Sequence, residues 1–244
     1  MLVITLAGIT VISTFLGGLL ALRAKDRFHL VLGLSAGLLL GLVSFDLLPE
    51  VFEMNSNDFA GVKSISIALI SGFLFLHFLE QFVGSHEPAE SDYGHDHKHS
   101  VEIAGVVGAV AMAGHIFLDG VALALAFKVS NNLGIAVFIA MLVHAFSDGL
   151  NTVALLIKSN QWQKRGRYLL AVDAVARISG AALGSAISIS DANLALYLAV
   201  FSGIVIYLAT SHILPEAHSK HPSKVTVVST LSGVVIMWFV VANL

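Results

Sequence analysis

Cysteine is absent from the 244-residue chain, proline occurs four times, and only 12% of the residues carry a formal charge. Each scarcity excludes something. Without cysteine there is neither a disulfide framework nor a thiolate ligand. Sulfur-seeking ions such as Cu(I) are therefore poor guests, and five methionines leave only a weak thioether option. A soluble domain carries about 25% charged residues, roughly twice the share found here. Hydrophobic residues make up 57% of the chain instead, and mean hydropathy is +0.87. The class is that of an all-α polytopic membrane protein, with the lipid bilayer as its surroundings. The formal net charge of −3 identifies no other partner, and no nucleic acid is expected.

What is present is long apolar runs. A span needs ~20 mostly apolar residues, and eight can be placed, at about 2–22, 29–49, 64–83, 101–127, 132–157, 166–188, 193–214 and 224–243. The first lacks a basic stretch before it and is followed by Arg23, Lys25 and Arg27, so it reads as a retained helix rather than a signal peptide. The whole chain, 1–244, reads as one transmembrane domain with a polar, histidine-rich loop at about 84–100.

Basic residues orient the spans, since they favour the cytoplasmic side. With the N-terminus outside, Arg23, Lys25, Arg27, Lys98, Lys158, Lys164, Arg165, Arg167, Lys220 and Lys224 fall in cytoplasmic loops. Only Lys63 and Lys128 fall outside. Both termini are expected outside a plasma (inner) membrane.

Two internal echoes carry the chemistry. His115-Ile116-Phe117-Leu118-Asp119-Gly120 and His144-Ala145-Phe146-Ser147-Asp148-Gly149 repeat the pattern H-x-F-x-D-G in the middle of two apolar runs. Residues four apart share a helix face, so each copy presents an imidazole and a carboxylate on one side. Ionisable groups at this depth are costly and usually face a partner or a pathway. The short connection from Lys128 to Asn132 makes the two spans antiparallel neighbours, which brings the motifs to one depth. His115, Asp119, His144 and Asp148 then form a candidate site for Zn²⁺, or for Fe²⁺, Mn²⁺, Co²⁺ or Cd²⁺. The plain structural use of the same residues is a pair of interhelical His–Asp hydrogen bonds. Gly120 and Gly149 suit either role, because small residues let helices approach.

The second echo is Phe45-Asp46-Leu47-Leu48-Pro49-Glu50 against Ser211-His212-Ile213-Leu214-Pro215-Glu216. Proline naturally ends a helix, so both L-P-E triplets read as helix ends. An offset of five spans gives the two opposite directions through the membrane, as in the inverted repeats of secondary transporters. A 3+2+3 arrangement follows. Asp46 and His212, with Glu216, are candidate pathway residues at opposite faces; helix-end capping is their plain alternative. His77 and Glu80 share one face nearer the cytoplasm. His86, His95, His97 and His99 form a compositional metal-binding tract, expected to capture metal weakly.

These motifs resemble those of the ZIP (Zrt/Irt-like) divalent metal transporters, over nearly the whole chain. Ser35-Ala36-Gly37 with the following L-P-E looks like the family's second helix, and the two H-x-F-x-D-G copies look like its paired metal motifs. The resemblance implies that His115, Asp119, His144 and Asp148 hold the transported ion, and that the protein is a homodimer. Many members bind a second metal, but the matching positions here are Ile116, Ala145 and Arg177. A single-metal site is expected, with the Arg177 cation beside it; Arg177 pairing with Asp173, one turn earlier, is the plain alternative. The motif proline of the family is replaced by Leu118 and Ser147.

The function expected is carriage of a divalent ion into the cytoplasm by alternating access, with protons competing for the imidazoles. No prosthetic group is expected, since the metal is cargo. The rival is an intramembrane zinc hydrolase in which the same ligands activate water, but no nucleophile or further base accompanies them. A non-transporting metal sensor is disfavoured, since the sequence shows no receiver or catalytic domain.

Overall fold

The computed structural model describes residues 1–23, 28–83, 98–158, 162–219 and 224–244. Among them are ten α-helices: α1 (Leu2–Arg23), α2 (Phe28–Leu42), α3 (Leu48–Met54), α4 (Ser64–Val83), α5 (Lys98–Val129), α6 (Asn131–Lys158), α7 (Trp162–Ala186), α8 (Asp191–Tyr207), α9 (Leu214–Ser219) and α10 (Lys224–Asn243). A two-residue hairpin, β1 (Asp58–Phe59) with β2 (Val62–Lys63), turns at Ala60 and Gly61, both at positive φ. Among the described residues five segments are long and apolar enough to cross a membrane: Leu2–Leu20, His29–Met54, Tyr168–Ala186, Asp191–His218 and Lys224–Asn243. Ser64–Leu79 and Asn131–Phe146 are apolar but shorter.

The L-P-E triplets do not end their helices. A π-helical segment, Val43–Leu47, joins α2 to α3, and another, Leu208–Ile213, joins α8 to α9. In each the residue before proline reaches back five places rather than four: Leu48 N–H donates to the Val43 carbonyl, and Leu214 N–H to the Ala209 carbonyl. Proline has no N–H and its ring crowds the preceding turn. Widening that turn lets the helix pass through the proline instead of stopping. By contrast α5 and α6 run through both H-x-F-x-D-G motifs without interruption. Leu118 and Ser147 stand where a proline would have disturbed the ladder.

The helices pair in a repeating pattern. α1 packs on α6 and α5 on α7, while α2 packs on α10 and α4 on α8. Each pair crosses at glycine. A Cβ at Gly149 would collide with the Thr14 carbonyl on α1, and one at Gly120 with the Arg177 carbonyl on α7. Gly180 lies equally close to the Phe117 carbonyl, Gly37 and Gly233 make the α2–α10 crossing, and Gly72 and Gly203 the α4–α8 crossing. With lipid tails as apolar as leucine, such backbone approach is a main source of helix association. The glycine of each H-x-F-x-D-G motif thus seats its helix on a neighbour, which fixes the height of the aspartate just before it.

Replacing Gly149 or Gly120 by alanine should therefore destabilise the bundle by about 1–3 kcal/mol, the usual cost of overpacking. Gly8→Ala, where a Cβ meets nothing within 4 Å, should leave stability unchanged. Thermal unfolding in detergent followed by size-exclusion chromatography measures the contrast.

Candidate metal centre

His115 and Asp119 lie one turn apart on α5, and His144 and Asp148 one turn apart on α6. At 1.5 Å per residue, His115 is ~20 Å or slightly more from either end of its 32-residue helix. The two helices bring their imidazoles edge to face, with ring centroids 5.4 Å apart and Nε2 atoms 3.1 Å apart. Asp119 Oδ2 is 3.6 Å from His115 Nε2 and 4.0 Å from His144 Nε2. Ligand atoms of His115, Asp119 and His144 all fall within 4.8 Å of one another. Two nitrogens bound tetrahedrally at ~2.05 Å from zinc would lie ~3.3 Å apart, close to the spacing found.

Asp148 is not part of that mutually close set. Its Oδ2 is 3.4 Å from His144 Nε2 and 3.5 Å from Arg177 Nη2. Arg177, on α7, reaches across both motifs, with Nη1 3.6 Å from Asp119 Oδ2. The guanidinium therefore lies between the two carboxylates, and no ion pair with Asp173 is formed. Arg177 is 1% exposed, Asp119 2%, His144 3% and Asp148 6%. Ile116 and Ala145, beside the histidines, are fully buried and apolar.

None of these ionic contacts closes to hydrogen-bond length. The pair of His–Asp hydrogen bonds that would make the motifs merely structural is not formed. Eight buried side-chain polar atoms lack a hydrogen-bond partner among the described residues, and six belong to this cluster: His115 Nδ1, His144 Nδ1, Asp119 Oδ2, Asp148 Oδ2 and both terminal nitrogens of Arg177. The other two are Asp173 Oδ2 and Ser35 Oγ. Buried polar groups are normally paired, so this concentration marks a place shaped for something further. A cavity of about 20 Å³ adjoins His115, Asp119 and His144, walled by Leu39, Leu42, Met141, Phe201, Val205 and Leu208, among others. That is room for about one water molecule.

The remaining candidates lie elsewhere. Asp46 is half-buried on the first π segment, and His212 is exposed on the second, its ring 5.8 Å from that of Tyr207. Glu216 is exposed on α9, and none of the three lines the cavity. His77 Nδ1 lies 3.3 Å from the Tyr207 hydroxyl. The Glu80 side chain and His86, His95 and His97 lie outside the described residues. His99 falls within α5, which begins at Lys98 rather than at the expected 101, and its side chain is likewise outside them. Tyr197 on α8 has no sequence signal, yet its hydroxyl donates to the Leu118 carbonyl at 3.1 Å. It ties α8 to the turn of α5 that carries Asp119.

A model of the ZIP zinc transporter family matches residues 84–241. The chain belongs to the ZIP family. It is 26% identical to zinc transporter YKE4 of Saccharomyces cerevisiae over 227 residues, covering 82% of this chain and 66% of that protein. It is 28% identical to zinc transporter ZIP9 of Xenopus tropicalis over 187 residues, covering 71% and 61%. Against zinc transporter ZupT of Corynebacterium aurimucosum identity is 24% over 241 residues, covering 93% and 91%. The chain spans less than two thirds of the yeast and frog relatives' length. Membership, with the apolar helices, makes this ZIP chain an integral membrane protein.

Crystals soaked in Zn²⁺ should show one anomalous peak per chain, about 2.0–2.2 Å from both Nε2 atoms and from Asp119. His144→Ala should remove it. Two peaks, or a peak distant from His144, would contradict this ligand set.

Proposed function

We propose that this ZIP chain carries a divalent cation, Zn²⁺ foremost, across the membrane into the cytoplasm, with His115, Asp119, His144 and Asp148 as the transit site. The observation that carries the reading is the buried facing of two imidazole nitrogens beside a carboxylate oxygen that has no hydrogen-bond partner among the described residues, half-way along two long apolar helices. The relatives' printed names as zinc transporters point the same way.

The chemistry follows from the cavity. The cavity beside His115, Asp119 and His144 has room for about one water molecule, so an ion with its full water shell does not fit it. The ion must shed water as it enters and take nitrogen and oxygen ligands in exchange. Among the described residues neither imidazole has a hydrogen-bond partner on its Nδ1, whereas tightly held metals usually rest on histidines braced there by hydrogen bonds. Unbraced ligands suit an ion that has to leave again. Inside-negative voltage favours entry of two charges by roughly 4–5 kcal/mol at 100 mV. A hydrolase is disfavoured, because the family and the named relatives are zinc transporters and no nucleophile or further base accompanies the ligands among the residues lining the cavity.

The architecture proposed is eight spans in a 3+2+3 inverted repeat, with both termini outside an inner membrane and assembly as a homodimer. Exchanging the first three spans for the last three, and α5 for α6, maps the α1–α6 contact onto α5–α7 and the α2–α10 contact onto α4–α8. The two π segments exchange as well. Asp46 and His212 sit on them as residues of the ion's path. A half-buried acid such as Asp46 concentrates cations at an entrance, and a π segment is a frequent companion of functional sites.

Purified chain in zinc-impermeable liposomes should take up radioactive zinc. Asp119→Ala with Asp148→Ala should abolish the flux, and unchanged flux would remove this site from the path. Orientation has a separate test that the absence of cysteine makes clean. Ser56→Cys should react with an impermeant thiol reagent applied outside intact cells and Ser159→Cys should not; the reverse pattern would invert the topology.

A further inference from the structure

Arg177 holds an unusual position for a buried cation. Its backbone carbonyl lies where a Cβ on Gly120 would be, so α7 is seated against the turn of α5 that bears Asp119. Its guanidinium faces two carboxylates at 3.5 and 3.6 Å without closing on either. A settled Arg–carboxylate pair closes to about 2.7–2.9 Å and is often bidentate. One turn earlier on the same helix, Asp173 is 5% exposed and its Oδ2 has no hydrogen-bond partner among the described residues. Residues four apart on a helix have Cβ atoms only about 5–6 Å apart. A change of side-chain torsions alone can therefore carry the guanidinium from the Asp119–Asp148 pair to Asp173.

An arriving divalent ion binds the carboxylate side that the guanidinium faces, and two cations sharing those oxygens repel strongly in a poorly polarisable interior. Asp173 offers the displaced charge a partner. In the loaded state three carboxylates and one guanidinium sum to −2, which one divalent ion neutralises and a second would overshoot. We infer that Arg177 is a tethered cation that stands in for the metal while the site is empty and withdraws to Asp173 when one divalent ion enters. The inference rests on the transit site proposed above. It makes Arg177 and Asp173 determinants of how many ions bind and how readily they leave: the guanidinium returns to the carboxylates and helps expel its rival.

Zinc titration calorimetry on the purified full chain in detergent tests this. Arg177→Gln removes the competitor and should tighten zinc binding roughly tenfold, within the usual range of site-to-site coupling. Asp173→Asn deprives the displaced guanidinium of its refuge and should weaken binding by a similar factor. In the double variant the Asp173→Asn effect should vanish, because nothing remains to be displaced. Weaker binding in Arg177→Gln, or an Asp173→Asn effect that persists in the double variant, overturns the inference. Should Arg177→Gln not remain monodisperse, Asp173→Asn decides alone, and wild-type affinity there overturns it. A wild-type chain that binds no zinc sinks the transit reading itself. Wild-type binding with Arg177→Gln unchanged sinks only the role of Arg177.

Discussion

Charge in hydrocarbon is the constraint on which the rest of the molecule depends. Asp119, His144, Asp148 and Arg177 are all removed from solvent, and a charge so buried without a partner costs several kcal/mol. They are tolerated because they are together: Arg177 lies 3.6 and 3.5 Å from the Asp119 and Asp148 carboxylates, and His144 lies 4.0 and 3.4 Å from them. Gathering them requires α5, α6 and α7 to meet at one depth. The glycine crossings supply that meeting, for Gly120 and Gly149 each directly follow a site aspartate and lie against a neighbouring backbone. Packing and chemistry are one requirement here. Moving the crossing by a turn would strand a charge in lipid.

The same constraint explains why the cluster is loose. A site that satisfied all its own hydrogen bonds would gain nothing from an ion and would resist its entry. Here Arg177 stays 3.5–3.6 Å from the two carboxylates, and the carboxylates 3.4–4.0 Å from the imidazoles, which keeps the group together while six of its atoms have no hydrogen-bond partner among the described residues. Such a half-satisfied polar cluster is a poor way to stabilise a bundle. Stability must come from elsewhere, and the paired helices with their glycine seams and apolar contacts provide it. Two duties are thus divided between different parts of each helix.

Much of this placement was readable from residues alone, because it follows from spacing. Four-residue separation puts His115 with Asp119 and His144 with Asp148, and a short connection makes their helices antiparallel. The all-α class and the boundaries of helices such as Ser64–Val83 and Lys224–Asn243 followed from apolar length. What spacing could not reveal depends on three-dimensional approach. Arg177 could have turned to Asp173 on its own helix; only the α5–α7 crossing sets it between Asp119 and Asp148. Nor does spacing show that Asp148, 3.4 Å from His144 Nε2, lies outside the mutually close set of His115, Asp119 and His144. Tyr197 is an ordinary aromatic in an apolar run until its hydroxyl is seen on the Leu118 carbonyl.

The prolines are the most instructive mismatch. A local rule says that Pro49 and Pro215 end their helices, and in an isolated peptide the missing donor and the crowded ring make that the cheaper outcome. In a bilayer a helix that stops early exposes several unpaired carbonyls to hydrocarbon. One widened turn costs less than an open end, so the chain passes through proline as a π segment and continues. Backbone carbonyls in such a turn are less regularly paired than elsewhere in the helix. Asp46 on one segment and His212 on the other are therefore carried by the two places where α2–α3 and α8–α9 can bend without breaking, and any rocking of these helices about the central cluster would move both residues.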